Sequence, residues 1–196
     1  MASFGSQGCP TMIDYFCDFC PNPEQGRISA VAFVTKGTPL PDPSSRQDWV
    51  NVVCNKLGFI IPDVRGSYDA QGIEQPGFGR THVRRTGSTH TVTYSHLFTC
   101  ENIEVYNSLN NNAGQYEFWF STETKLFASK KEVYINANMP ITDDTNAQIE
   151  FTVEVKWSNK YIPECYSLPT GIFDSCEGLQ SALTCLTCQP LIVNPC

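Results

Sequence analysis

The chain has 196 residues, of which 41% are hydrophobic and 17% are charged, and its formal net charge is −7. This length is typical of one domain that can bury a core without the help of a metal or a disulfide. The acidic balance excludes a chain-wide basic field for nucleic acid. No apolar run approaches the ~20 residues that a bilayer-spanning helix needs, so we expect no membrane partner.

The first 25 residues are rich in Gly, Pro and Cys and predict an irregular N-terminal arm, residues 1–25. They lack a basic start followed by an apolar run, so we expect no secretory signal and a protein made and kept in a cytosol. There the 10 cysteines are expected to be free thiols or ligands, with oxidation only in particles released from a cell.

The stretch "RISAVAFVTK" (27–36) predicts a strand, which ends before a segment with three prolines. A short helix follows, capped by Ser44 or Ser45 and ending at Gly58. The glycine-rich residues 58–79 predict a long loop or sharp strand corners.

The next segment, residues 80–98, predicts a β-hairpin. Its two strands are predicted at "RTHVRR" (80–85) and "THTVTYSHLF" (89–98), and its turn at "TGS" (86–88). In the second strand the residue types alternate, with His90, Val92 and Tyr94 on one face and threonines on the other.

A second helix is predicted over residues 99–112, with Thr99 as its N-cap and an apolar stripe through Ile103, Tyr106 and Leu109. After it, "QYEFWFSTE" (115–123) predicts a strand with Tyr116, Phe118 and Phe120 on one face. The segments "KLFAS" (125–129) and "KEVYINA" (131–137) predict further strands.

The clearest pattern is "QIEFTVEVKWSNK" (148–160), where every odd position from Ile149 to Trp157 is apolar. Such alternation predicts an antiparallel strand with one buried face and one wet face. Residues 166–196 form a Cys- and Pro-rich C-terminal extension, with a short helix near "EGLQSALTCL" (177–186). Residues 26–165 therefore predict a mainly β domain, a β-sandwich or barrel with one or two short helices.

Two Cys-x2-Cys pairs could supply the four thiolates of a structural zinc site. They are Cys17 with Cys20 and Cys185 with Cys188. Their separation along the chain far exceeds the usual ~15–20 residues, but chain termini often lie close together. A redox dithiol is disfavoured because the two prolines after Cys20 oppose the helix that would lower its pKa. Cys54 and Cys100 are expected to be small buried side chains.

The histidines and the basic stretch are assigned to a surface. His82, His90 and His96 are expected on the surface of the hairpin, with no shared ion. The sequence shows no Gly-x-Ser-x-Gly nucleophile elbow, no phosphate-binding loop and no zinc-protease motif. No enzyme activity and no cofactor are therefore predicted. "RTHVRR" could contact phosphate, but in an acidic protein we favour contact with a neighbouring subunit.

The central and C-terminal segments resemble a known group of proteins. In order they are Trp49, "GFI" (58–60), "RGSYD" (65–69), "GFGR" (77–80), the hairpin, "ENIEVYNSLNNNAGQYEFWFST" (101–122), "KLFAS", "ITDDTNAQIEFTVEVKWSNKYIPECY" (141–166) and "LPTGIFDSC" (168–176). In their order along the chain and their general residue character, these segments resemble tail-tube or tail-ring virion proteins of tailed phages that infect Bacteroidetes, including the crAss-like group. The opening "GCPTMIDYFC" (8–17) is similar to their cysteine-bearing starts. The tail 177–196 departs from the group.

The resemblance implies a tail-tube-like fold and a structural subunit of a virion tail, assembled in the host cytoplasm. Such subunits form six-fold rings, or rings of higher symmetry next to the portal, in which a hairpin joins the wall of the channel that DNA passes through. Partners would be identical subunits, neighbouring tail or neck proteins and, transiently, DNA.

The hairpin 80–98 and the loop 58–79 are our candidates for subunit contacts. The contact residues predicted are Arg80, His82, Arg84, Arg85, His90 and Tyr94. Glu150, Glu154 and Lys156, on the wet face of the alternating strand, are predicted to face the lumen or a neighbour. The alternative is a small zinc-stabilised binding module held by the four cysteines, and a third hypothesis is a secreted or adhesive disulfide protein.

Overall fold

The structure is a computed structural model, and it describes residues 26–76, 83–141, 143 and 148–184. Within these ranges the chain forms nine strands and three short helices. The strands are β1 Ala30–Thr35, β2 Gly58–Ile61, β3 Arg65–Pro76, β4 Val83–Leu97, β5 Tyr116–Ser121, β6 Lys125–Glu132, β7 Tyr134–Asn138, β8 Glu150–Asn159 and β9 Glu164–Ser167. The helices are α1 Arg46–Cys54, α2 Cys100–Asn111 and α3 Cys176–Thr184.

The strands form two antiparallel sheets. The five-stranded sheet has the order β2-β1-β5-β6-β9, and the four-stranded sheet has the order β3-β4-β8-β7. The protein is therefore mainly β, as predicted. In the described part of the chain the sheets remain separate, so the sandwich alternative holds and the barrel does not.

The space between the two sheets holds the larger hydrophobic core. Strand β8 supplies Phe151, Val153, Val155 and Trp157, each at most 4% exposed, while their even-numbered neighbours point away. Facing them from the five-stranded sheet are Phe33, Phe118 and Phe120. The predicted alternation is confirmed except at Ile149, which precedes the first residue of β8 and is 40% exposed.

A second core lies on the other face of the five-stranded sheet, under α1 and α3. Strand β1 is buried on both faces: Val31 and Phe33 face the first core, and Ala30, Ala32 and Val34 face the helices. Trp49 of α1 packs edge-to-face against Trp119 of β5 and against Phe173, with ring centroids 5.3 and 5.0 Å apart. Such aromatic contacts add to the burial of large apolar areas.

Both central helices begin where the sequence predicts. Ser45 caps α1, accepting a hydrogen bond from the Asp48 backbone nitrogen at 3.4 Å. Helix α2 follows Thr99, although the Thr99 side chain makes no capping hydrogen bond, and it buries Tyr106 and Leu109 as expected. A third helix, α3, forms near the predicted "EGLQSALTCL".

The prediction for residues 58–98 is wrong in two places. The expected loop 58–79 contains β2 and all of β3, and the expected turn "TGS" lies inside β4, which runs from Val83 to Leu97. Gly66 serves close packing instead of a turn: a Cβ on Gly66 would lie 2.8 Å from the Thr93 carbonyl oxygen. The hairpin connection lies between Pro76 and Val83.

The segment after residue 165 contributes to the core that lies under α1 and α3. The predicted boundary falls inside β9, and Ile172, Phe173 and Ala182 are each at most 1% exposed in the core under the helices. The N-terminal arm 1–25 lies outside the described residues. Among the helices that are described, none is long and apolar enough to span a membrane.

Candidate functional site

The most distinctive surface feature is a two-stranded ribbon at one end of the four-stranded sheet. β3 and β4 pair from Arg65 and Ser95 to Pro76 and Val83, but β8 accompanies β4 only as far as the pair Ser88 and Asn159. Beyond that pair, residues 73–76 and 83–86 pair with each other and with no other strand of the described chain. We call residues 73–87 the arm; its tip, 77–82, lies outside the described residues.

The arm contains a bulge, and its described side chains are exposed. The register shifts between Ile73 and Glu74, so that Thr86 is the extra residue, and its hydroxyl donates to the Ile73 carbonyl oxygen at 3.2 Å. A bulge increases the local twist of a ribbon. Ile73 is 40% exposed although it is a large apolar residue. The arm therefore presents apolar and polar surface that the rest of the described chain does not cover.

No described strand pairs with the outer side of β3 along residues 73–76 or with the outer side of β4 along residues 83–86. On the outer side of β3, the only described pairing is the isolated bridge between Ile28 and Gly66, at the opposite end of the strand. A two-stranded ribbon is marginally stable in water by itself, and unpaired edges are templates for strands of another chain. The arm is therefore suited to pairing with a second molecule.

The arm is also the basic part of an acidic protein. Residues 73–87 include Arg80, Arg84 and Arg85 but only one carboxylate, Glu74, whereas the whole chain carries −7. Arg84 and Arg85 lie on β4 within the arm, while Arg80 and His82 lie outside the described residues. A basic segment on an acidic molecule favours contact with the body of another copy.

Two of the predicted contact residues are buried, which corrects their assignment. His90 and Tyr94 are each 1% exposed, because their face of β4 packs into the core between the sheets. Their side chains cannot contact another subunit in this conformation. The alternation of His90, Val92 and Tyr94 already carried the signal, since the middle residue of the three is a buried valine.

His90 instead joins three strands at the base of the arm. The ring stacks on Trp157, with centroids 5.2 Å apart. Its Nε2 lies 3.3 Å from the Asn159 carbonyl oxygen, which can only accept, so Nε2 carries the proton. Its Nδ1 lies 2.8 Å from the Tyr68 hydroxyl, which can donate a hydrogen bond to it. Burial raises the pKa of Tyr68, so its hydroxyl remains a donor. This arrangement fixes the direction in which the arm leaves the sheet.

A second histidine links β4 to α2. The Tyr106 hydroxyl lies 2.9 Å from His96 Nδ1, and Tyr106 is 2% exposed. Burial lowers the pKa of His96, and the nearby Asp63 carboxylate acts in the opposite direction. The neutral ring therefore accepts a hydrogen bond from the Tyr106 hydroxyl. We assign His96 a structural role at a half-buried position, in place of the surface position that was predicted.

The three residues predicted to face the lumen or a neighbour lie on the wet face of β8. Glu150, Glu154 and Lys156 are partly exposed, and Glu154 pairs with Lys156 at 2.8 Å. A surface ion pair of this kind contributes little to stability. These side chains remain accessible to another molecule.

The structure corrects two expectations about cysteines. Cys54, the last residue of α1, and Cys176, the first of α3, are each disulfide-bonded, not free thiols. Cys100 is exposed, because it begins α2 a full turn ahead of the partly buried Ile103. The proposed zinc ligands Cys17, Cys20, Cys185 and Cys188 lie outside the described residues. Among the described ones, no three His, Cys, Asp or Glu side chains are grouped to hold a metal.

An open groove of about 460 Å³ lies beside the end of β8. Its lining includes Glu132, Tyr134, Lys156 and Trp157. Glu132 is paired with Lys36 at 2.7 Å, and Lys156 with Glu154, so the charges at the groove are already matched. The arm is therefore the better candidate for function.

No protein-family model matches this chain, and no curated protein matches it.

Proposed function

We propose that this protein is a phage virion structural subunit that assembles into rings, forming the tail tube or the tail/neck channel through which DNA passes. The observation that carries the proposal is the arm, a ribbon that continues beyond the end of β8 and pairs with no other strand of the described chain. Its partners would be identical subunits in a six-fold or larger ring and adjoining tail or neck proteins. The place of action is the virion tail, after assembly in the host cytoplasm.

The geometry of such an arm supports the proposal of ring formation. The arm of one subunit would pair with the sheet or body of the next, and the same contact would repeat around an axis. Contacts between two different surfaces of identical subunits close into rings when the rotation allows it. Each arm would then gain the hydrogen-bonding neighbours that it lacks in the single chain.

Charge supports the same assignment. The arginines of the arm would meet an otherwise acidic copy, which favours the correct encounter over other contacts. Glu150 and Glu154 on the wet face of β8 would repel the phosphates of a passing duplex if that face lines the channel. A channel that makes few phosphate contacts lets DNA pass without holding it.

The resemblance to tail-tube and tail-ring proteins adds to this argument. Its segments "RGSYD" and "GFGR" belong to β3 and to the connection that follows, so the resemblance covers the arm itself. In that group a hairpin joins the wall of the channel, and the arm is the hairpin of this chain that could do so.

One observation favours a second candidate. The disulfide-bonded Cys54 and Cys176 indicate a protein that is stable in an oxidised state. That agrees with a particle released from its host, but also with a secreted or adhesive disulfide protein. Only the first predicts regular rings or tubes of the purified chain.

The arm can be tested by removing it. Replacing residues 74–86 with Asn-Gly would close a two-residue turn on the existing pair Ile73 and Gly87. We expect this variant to remain folded and to sediment as a monomer at concentrations where the wild type forms rings. The joint change Arg84→Glu and Arg85→Glu should weaken assembly, while Lys125→Glu with Lys131→Glu, the same charge change on β6, should not. Rings formed by the armless variant would contradict the proposal.

A further inference from the structure

The strand β7 is an edge strand whose edge is closed by one side chain. It pairs with β8 on one side and is last in the four-stranded sheet. On its other side Asn110 of α2 bonds to the backbone of Ala137 twice. The Asn110 Nδ2 donates to the Ala137 carbonyl oxygen at 3.0 Å, and the Ala137 N–H donates to Asn110 Oδ1 at 2.8 Å.

This pair of hydrogen bonds imitates an additional strand. In an antiparallel ladder, the residue that turns both backbone groups away from one neighbour offers them to the opposite side. Ala137 is the fourth of the five residues of β7, and the carboxamide of Asn110 supplies one acceptor and one donor, as a strand residue would. While Asn110 is in place, a strand of another molecule cannot pair with Ala137.

Helix α2, which carries Asn110, is anchored in the core between the sheets by two side chains. In α2 only Tyr106 and Leu109 are buried, and Asn110 itself is exposed. The Thr99 side chain makes no capping hydrogen bond at the start of the helix. A cavity of about 150 Å³ separates α2 from β7, lined among others by Ile103, Asn107 and Met139. Elements with few buried contacts open locally at a low free-energy cost.

We propose that α2 is a latch, which keeps the β7 edge closed in the free subunit and releases it to a strand of a second copy during assembly. The occupant is the outer edge of β3, the other edge of the same sheet, where no described strand pairs with residues 67–76. On that edge the Ala70 N–H donates to Asp69 Oδ1 at 2.9 Å, so an incoming strand would displace the Asp69 side chain. β7 reads "YINAN" and has no charged side chain, so nothing repels an incoming strand. This inference rests on the proposed function, because it describes how premature pairing of subunits would be prevented.

The latch is tested by two substitutions at Asn110 and one matched control. Asn110→Ala removes both hydrogen bonds, and Asn110→Asp keeps the acceptor for the Ala137 N–H but loses the donor. Asn112→Ala is the control, since the Asn112 amide bonds only to Ser108 within the same helical segment. Sedimentation velocity would measure self-association, and amide hydrogen exchange would measure protection at Ala137.

We expect Asn110→Ala to lower the concentration for self-association and to speed exchange of the Ala137 amide, each by about tenfold, as the loss of two hydrogen bonds implies. Asn110→Asp should also associate more readily while keeping most of the amide protection. Asn112→Ala should match the wild type in both measurements. If Asn110→Ala proves unstable, the aspartate variant gives the same comparison.

Two outcomes would separate this inference from the proposed function. Wild-type rings with unchanged association in both Asn110 variants would overturn the latch and leave the ring subunit in place. A monomeric wild type whose Asn110→Ala variant associates would support the latch but count against the ring. Association of Asn110→Ala that persists when the outer edge of β3 is blocked by Gly72→Pro, which removes a backbone N–H that faces away from β4, would overturn β3 as the occupant.

Discussion

Gly66 lies where β3 comes closest to β4. A Cβ at this position would be 2.8 Å from the Thr93 carbonyl oxygen and 2.8 Å from the Tyr94 Cβ, both of which are fixed by the sheet. Tyr94 is fully enclosed, so it has no room to retreat. The glycine therefore serves close packing at this point and not a turn.

Gly66→Ala should lower the free energy of unfolding by about 1–3 kcal/mol, the usual cost of forcing extra atoms into a packed site. Urea denaturation would measure it. Gly26→Ala is the control, because a Cβ there would have nothing within 4 Å. Equal stabilities of the two variants would mean that β3 and β4 are not this close.

His96 makes the stability of the protein depend on pH. Burial lowers its pKa below the ordinary value of 6.5, although Asp63 opposes the shift. The unfolded chain therefore binds a proton first as the pH falls, and the contribution of the neutral ring is present above pH 6.5. It is lost as the pH falls from 6.5 through the folded-state pKa.

His96→Gln should flatten this part of the profile. Glutamine can still accept a hydrogen bond from the Tyr106 hydroxyl, but it does not titrate. The Tm of the variant should therefore fall less between pH 8 and pH 5 than the Tm of the wild type. Leu97→Gln, at an exposed neighbouring position, should retain the wild-type profile. If the Tm of His96→Gln falls with pH as much as that of the wild type, another group controls the loss of stability at low pH.

Residue-level predictability depended on which cue was weighed. The alternation through His90 and Tyr94 indicated a buried face, but their polar atoms suggested a surface. For His90, burial prevailed because Tyr68 and Asn159 supply its hydrogen-bond partners. Those partners are distant in sequence, so no local pattern showed them.

At the scale of elements, the segment after β9 belongs to the body of the protein. Phe173 is 1% exposed and packs against Trp49 of α1, and Ile172 and Ala182 are buried beside it. A segment that fills a core in this way is needed for folding and is more than an appended tail.

Phe173→Ala should therefore cost about 3–5 kcal/mol of stability, as large-to-small changes of buried aromatics do. The free energy of unfolding in urea is the measurement. Ile162→Ala is the control, since Ile162 is 78% exposed and its truncation should change stability by less than about 0.5 kcal/mol. A small effect of Phe173→Ala would show that the segment is not part of the cooperative unit.

The elements with strong periodicity were predictable, and those with glycines were not. Strand β8 and helices α1 and α2 follow their apolar patterns and begin where predicted, but α1 ends at Cys54, short of the predicted Gly58. The segment that forms β3 was predicted as a long loop or sharp strand corners because Gly66 and Gly72 are normally breakers. Only its pairing with β4, where Gly72 lies opposite Ser88, shows that the glycines are accommodated in a ladder.

At the scale of the whole molecule, the arm extends from the two sheets and the helical layer as a ribbon that pairs with no other strand of the described chain. The mainly β class followed from the sequence, since alternation is local information. The number of sheets, the disulfide bonds at Cys54 and Cys176 and the open edges of the arm did not, because they depend on how distant segments meet. The arm became recognisable only once the end of β8 at Asn159 was located against β4.

The central claim is that this acidic chain assembles with itself through the arm. Negative-stain electron microscopy of the purified full-length protein, over a series of increasing concentrations, tests it most directly. We predict rings of uniform diameter, or tubes of stacked rings, that disappear in the variant with residues 74–86 replaced by Asn-Gly. A wild-type protein that stays monomeric at the highest concentration, with no ring or tube in any field, would contradict the account.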